Sequence, residues 1–126
     1  MDATTRFDTN LVGAMPVIVS YFDRLQLSDV INELVPWEGE VPLGELIEVL
    51  VLNRLLNPKA MFKIGDWAAK ASVDEFYGLS SDDLNDDRLG RALERIAQHG
   101  DAVQAGLVLN AINAFDLKVG QIQVVG

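Results

Sequence analysis

Between Leu43 and Leu56 the chain carries Leu43, Leu46, Ile47, Leu50, Val51, Leu52, Leu55 and Leu56, which cover much of the circumference of a helix. A helix that is apolar on most of its sides has to be surrounded, so this segment is expected at the centre of the core. Pro42 begins it and Asn57-Pro58 ends it, giving an expected helix from about 43 to 57. The apolar run inside it, Leu46 to Leu56, is interrupted by Glu48, Asn53 and Arg54. It is too short and too polar to span a bilayer, and no membrane partner is expected.

The flanking segments read as further helices. A first one starts near Pro16, with Val17, Ile18, Tyr21, Phe22 and Leu25 as its apolar face. Ser28 is an N-cap for a second, carrying Val30, Ile31, Leu34 and Val35 and stopped by Pro36. Trp37 to Val41 reads as an exposed loop. A helix over about 60–71 carries Met61, Phe62, Ile64, Trp67, Ala68 and Ala71 as its apolar residues, and Phe76-Tyr77-Gly78-Leu79 reads as one turn and a stop. Helices over 86–99 and from Asp101 to about Phe115 follow. From Lys118 the period changes to the alternation of a strand, ending Gln123-Val124-Val125-Gly126. The expected fold class is all-α, a compact bundle of about six helices with a C-terminal strand-like tail. Residues 1–12 are a lead-in, 13–117 the helical domain and 118–126 the tail. That tail is either an edge that pairs with another copy or the first strand of a further domain.

Chemistry leaves few marks on the chain. With no cysteine there is no disulfide, thiolate ligand or cysteine nucleophile. The single histidine, His99, has no second His or Cys to join it, and Asp82-Asp83 and Asp86-Asp87 read as helix-capping acids. No glycine-rich phosphate loop occurs, and Trp37 and Trp67 read as core or loop anchors. No metal, cofactor or catalytic set is therefore expected, and the chain reads as a non-enzyme. The start Met1-Asp2-Ala3-Thr4-Thr5 lacks the basic and apolar regions of a signal peptide, so a cytoplasmic location is expected.

Charge is more informative by position than in total. The net charge is −9 at pH 7, which opposes contact with phosphates. Yet Arg54, Lys59, Lys63 and Lys70 fall in one short segment against Asp66 alone. A second basic segment lies in Asn85-Asp86-Asp87-Arg88-Leu89-Gly90-Arg91-Ala92-Leu93-Glu94-Arg95-Ile96. There Asn85 is the N-cap, Leu89, Leu93 and Ile96 share one helix face, and Arg88, Arg91 and Arg95 share a neighbouring one. Two readings of those arginines are open. One is a solvated face of ion pairs, the other a stripe facing phosphates or a partner. Gly90, costly inside a helix, is read either as a close contact with another helix or as a close approach of a ligand.

Four pieces carry a resemblance: Gly13-Ala14-Met15-Pro16-Val17-Ile18, Glu48-Val49-Leu50-Val51-Leu52-Asn53, Asp66-Trp67-Ala68 and, above all, Leu84-Asn85-Asp86-Asp87-Arg88-Leu89-Gly90-Arg91-Ala92-Leu93. With them the chain resembles the N-terminal domain, of unknown function, that precedes the catalytic core in one group of bacterial insertion-sequence DDE transposases. In that group the strand after the last helix is similar to the first strand of an RNase H-like fold and ends in the first catalytic aspartate. The tail here has no acid at that place. The resemblance thus implies a non-catalytic module that binds DNA ends or helps assemble the transposition complex. Arg54, Lys59, Lys63, Lys70, Arg88, Arg91 and Arg95 would face duplex DNA. The alternative is a protein–protein or dimerisation module that regulates a transposase, its partner being itself or the full-length enzyme.

Overall fold

A computed structural model describes residues 13–114 of the chain, and all regular structure among them is helical. The lead-in 1–12, the strand-like tail 118–126 and the expected last turn at Phe115 lie outside the described residues. The helices are α1 (Met15–Leu25), α2 (Leu27–Leu34), α3 (Leu43–Leu56), α4 (Ile64–Lys70), α5 (Asp74–Tyr77), α6 (Asp86–Gln98) and α7 (Gly100–Ala114). A 3₁₀ turn, Met61–Lys63, leads into α4.

Helix α3 is the axis of the fold, as its all-round apolar surface requires. Leu43, Leu46, Val49 and Leu52 are fully buried, and Ile47, Leu50 and Leu56 nearly so. Helices α1, α2 and α6 pack on it and bring Met15, Phe22, Leu27, Ile31, Leu89 and Ala92 into the same core. Helix α7 covers α1 and α2 from the other side.

Helices α2 and α3 cross where Gly44 meets Ser28. A Cβ on Gly44 would lie 2.5 Å from the Ser28 Cα, so only glycine permits this approach. At the crossing each helix caps the other. Asn32 of α2 accepts the Gly44 amide of α3 through Oδ1 at 2.8 Å. Glu48 of α3 accepts the Ser28 amide of α2 through Oε2 at 3.1 Å. First-turn amides have no partner within their own helix, so each bond fills a vacancy that a local cap would otherwise fill. Ser28 is therefore not the N-cap the sequence indicates. Its helix begins at Leu27, and its hydroxyl donates to Glu48 at 2.6 Å.

Several apolar residues face outward against expectation. The buried stripe of α1 runs through Met15 and Phe22 with Ile18 and Val19 beside it. At 3.6 residues per turn, that leaves Val17 and Tyr21 on the opposite side. The segment expected as one helix over 60–71 is broken into the 3₁₀ turn and α4, which turns Phe62 to solvent. Leu55 of α3 is exposed as well. The loop expected to be exposed is exposed at Glu38, Gly39 and Glu40 but anchored at its ends: Val41 is buried, and its carbonyl accepts the Trp37 indole N–H at 2.9 Å. Helix α6 ends at Gln98, His99 is the junction, and α7 starts at Gly100, one residue before the expected start.

Candidate functional site

The seven basic residues expected to act together are sorted by the fold into separate places. Lys59, Lys63 and Lys70 come together. Lys59 stands in the loop after α3, Lys63 ends the 3₁₀ turn and Lys70 ends α4. With Asn57, Asp66 and Trp67 they line a groove of about 470 Å³. Three ammonium groups against one carboxylate leave this groove positive on a protein that is negative overall. Trp67 forms its wall while remaining largely buried.

One of the polar residues that interrupt the apolar helix builds this groove from below. Asn53, fully buried near the end of α3, donates from Nδ2 to the Asn57 carbonyl at 3.0 Å. Its Oδ1 accepts the Lys59 amide at 3.0 Å. One side chain thus fixes the backbone course of 57–59 and the position from which Lys59 reaches outward. Arg54, the next residue on α3, is exposed but does not line the groove.

The arginine stripe of α6 divides. Asn85 caps the helix as expected, accepting the Arg88 amide at 2.8 Å. The Arg88 side chain, however, is only 16% exposed. It donates from Nη1 to the Asp83 carbonyl at 2.8 Å and lies 3.7 Å from both the Asp83 and Glu40 carboxylates. It ties α6 to two loops, with its charge answered. Arg91 is exposed and lies 3.4 Å from Asp87 one turn earlier. Arg91 and Arg95 line a different cleft, of about 610 Å³, against Trp37. Glu38 and Glu94 line it too, so two cations there meet two anions. Its arginines are balanced where the lysines are not.

Gly90 has no close neighbour to explain it. An added Cβ would meet only the Met61 Sδ, at an ordinary 3.8 Å. The packing of α6 on the core runs through Leu89 and Ala92, so the close-contact reading of Gly90 fails.

In the sequence Glu48 stands as a lone carboxylate interrupting an apolar run. It is 4% exposed, and its Oε1 accepts the Tyr77 hydroxyl at 2.8 Å in addition to the two Ser28 bonds. Burial and the adjacent carboxylate push the Tyr77 phenol above its ordinary range. Burial, helped by Glu48, also raises Glu45 above the usual carboxylate range. With its oxygens answered by three donors, Glu48 holds helices together. The signal was present in the sequence: a carboxylate in the middle of an otherwise apolar helix has to find partners. Among the described residues no group of three or more His, Cys, Asp or Glu is placed to hold a metal ion. No described helix is long and apolar enough to cross a membrane.

Residues 7–113 match the family described as a domain of unknown function, DUF4277. The chain belongs to that family. No curated protein and no solved structure matches it. The lysine groove, the balanced arginine cleft and the Glu48 crossing all lie within the span that defines the DUF4277 domain.

Proposed function

We propose that this DUF4277 domain is a non-catalytic module of the transposase N-terminal type, one that binds DNA ends or helps assemble the transposition complex. The observation that carries the reading is the joining of Lys59, Lys63 and Lys70 on one positive groove of a protein with a net charge of −9. Three clustered ammonium groups offer phosphates a local attraction that the total charge would deny them. The resemblance of Leu84 to Leu93 and its companion segments to the transposase domains supplies the biological setting. Arg91 and Arg95 are secondary phosphate contacts, their cleft being neutral. Arg54 adds charge beside α3, and Arg88 holds the fold.

Binding of labelled duplex DNA across a salt series tests this. Affinity should fall with salt at a slope of roughly −0.9 per phosphate contacted, so roughly −3 for three lysines. Changing Lys59, Lys63 and Lys70 to Glu should abolish binding, while the same change at Arg54 should weaken it. Binding no stronger than that of an acidic control protein would sink the reading.

A second reading, a protein–protein or dimerisation module that regulates a transposase, has its own observation. A shallow, almost wholly apolar groove of about 390 Å³ runs between Leu25 of α1, Ile96 of α6 and Val103, Leu107 and Val108 of α7. Light scattering at high concentration that returns a monomer, with no capture of a transposase core, would remove its support.

A further inference from the structure

Phe62 is the most exposed large apolar side chain among the described residues, at 68%. It does not line the lysine groove itself but falls between two of that groove's cations in sequence. Lys59 comes three residues earlier, and Lys63 follows it with its Nζ 5.7 Å from the ring centroid. The ring is not stray core. Met61 and Ile64 on either side turn inward and are half-buried and buried, so the 3₁₀ turn is anchored while Phe62 is presented outward. A rigid two-torsion ring held outside costs little entropy to dock, and an ammonium on one side leaves the other side for a planar group.

We propose that Phe62 is a stacking platform, and that the lysine groove takes single-stranded or locally unpaired nucleic acid. The backbone lies along Lys59, Lys63 and Lys70, and one unpaired base rests on the Phe62 ring. The proposal rests on the nucleic-acid reading of the groove and adds the form of nucleic acid that it prefers. Two observations select this partner. The groove is positive, which fits a phosphate backbone. The aromatic beside it stands among Pro58, Lys59, Ala60 and Lys63, so it is a single ring and not the broad apolar face that a lipid surface takes. A base inside an intact duplex offers no free face to such a ring, so duplex binding is left to the lysines.

Fluorescence anisotropy with labelled oligo-dT and with a labelled duplex, both at low salt, tests the proposal on the full chain. Oligo-dT should bind more tightly than the duplex. Phe62→Ala should weaken oligo-dT binding roughly 5- to 100-fold and leave the duplex unchanged, with Phe62→Tyr restoring the loss. Circular dichroism should be unaffected by either change, since the side chain is mostly in solvent. If Lys59→Glu with Lys63→Glu weakens both ligands while Phe62→Ala weakens neither, stacking is overturned and the DNA reading stands. If the unaltered chain binds neither ligand, both are overturned. Phe62-dependent binding to phosphatidylserine vesicles in place of oligo-dT also overturns the proposal.

Discussion

At the α2–α3 crossing the Glu48 carboxylate meets the Ser28 amide, the Ser28 hydroxyl and the Tyr77 hydroxyl within 3.1 Å. In the lysine groove, some residues further along, three ammonium groups stand against one carboxylate, and the Phe62 ring next to Lys63 stands in water. The first region answers every polar group from inside the chain. The second leaves charge and apolar surface to be answered from outside. That contrast separates polar residues that hold the fold from those free to bind. It also explains why the arginines of α6 divide, since Arg88 behaves like the first region and Arg95 lies nearer the second.

The contrast breaks first if the crossing is not essential. Glu48→Ala strands two Ser28 donors and the Tyr77 hydroxyl, and should cost about 3 kcal/mol or more, read from urea unfolding. Alanine at Lys63 or Lys70 should cost less than about 0.5 kcal/mol in the same assay. Equal costs would erase the distinction.

Two glycines sharpen it next. Gly44→Ala drives a methyl group into the Ser28 backbone and should destabilise by about 2 kcal/mol. Gly90→Ala meets only a flexible methionine sulfur, and should stabilise by roughly 0.5–1 kcal/mol through helix propensity. If Gly90→Ala also weakens nucleic-acid binding, the glycine serves ligand approach. An effect smaller than that of Gly44→Ala is expected at Asn32→Ala, which uncaps the Gly44 amide and should cost about 1 kcal/mol.

The smallest effect concerns pH. Folding raises the Glu45 carboxyl, so its neutral form is the one the fold favours. Its contribution to stability is present below the unfolded-state pKa and lost as pH rises through the folded one. Glu45→Gln should therefore raise Tm at pH 7 and lose that advantage as the pH is lowered into the carboxylate range. A Tm gain independent of pH would assign the effect to packing instead.

Much of this fold was legible from local pattern. The central helix expected at 43–57 is Leu43–Leu56, and the Asn85 cap was readable because its partner sits three residues away. What escaped depends on contacts between distant residues. Glu48 caps a helix twenty residues earlier in the chain, and Asn32 answers from the other side, so neither leaves a local signature. Arg88 looked equivalent to Arg91 and Arg95 because its partner Glu40 comes from a remote loop. Phe62 is one of the apolar residues of a helix expected to run unbroken over 60–71, and its exposure follows from a tighter turn that intervenes there. Clustering of Lys59, Lys63 and Lys70 is visible in sequence, since they fall on or beside a common face of the helix expected over 60–71. Their separation from the arginines is not.

Asn53 gives the groove an internal clock. The Lys59 amide belongs to a loop, where protons ordinarily trade with water quickly, yet it is held at 3.0 Å by a fully buried side chain. Its deuterium uptake is therefore gated by release of the Asn53 grip. That single loop amide reports how often the floor of the groove opens, and a bound ligand that pins Lys59 slows it without touching the amide itself.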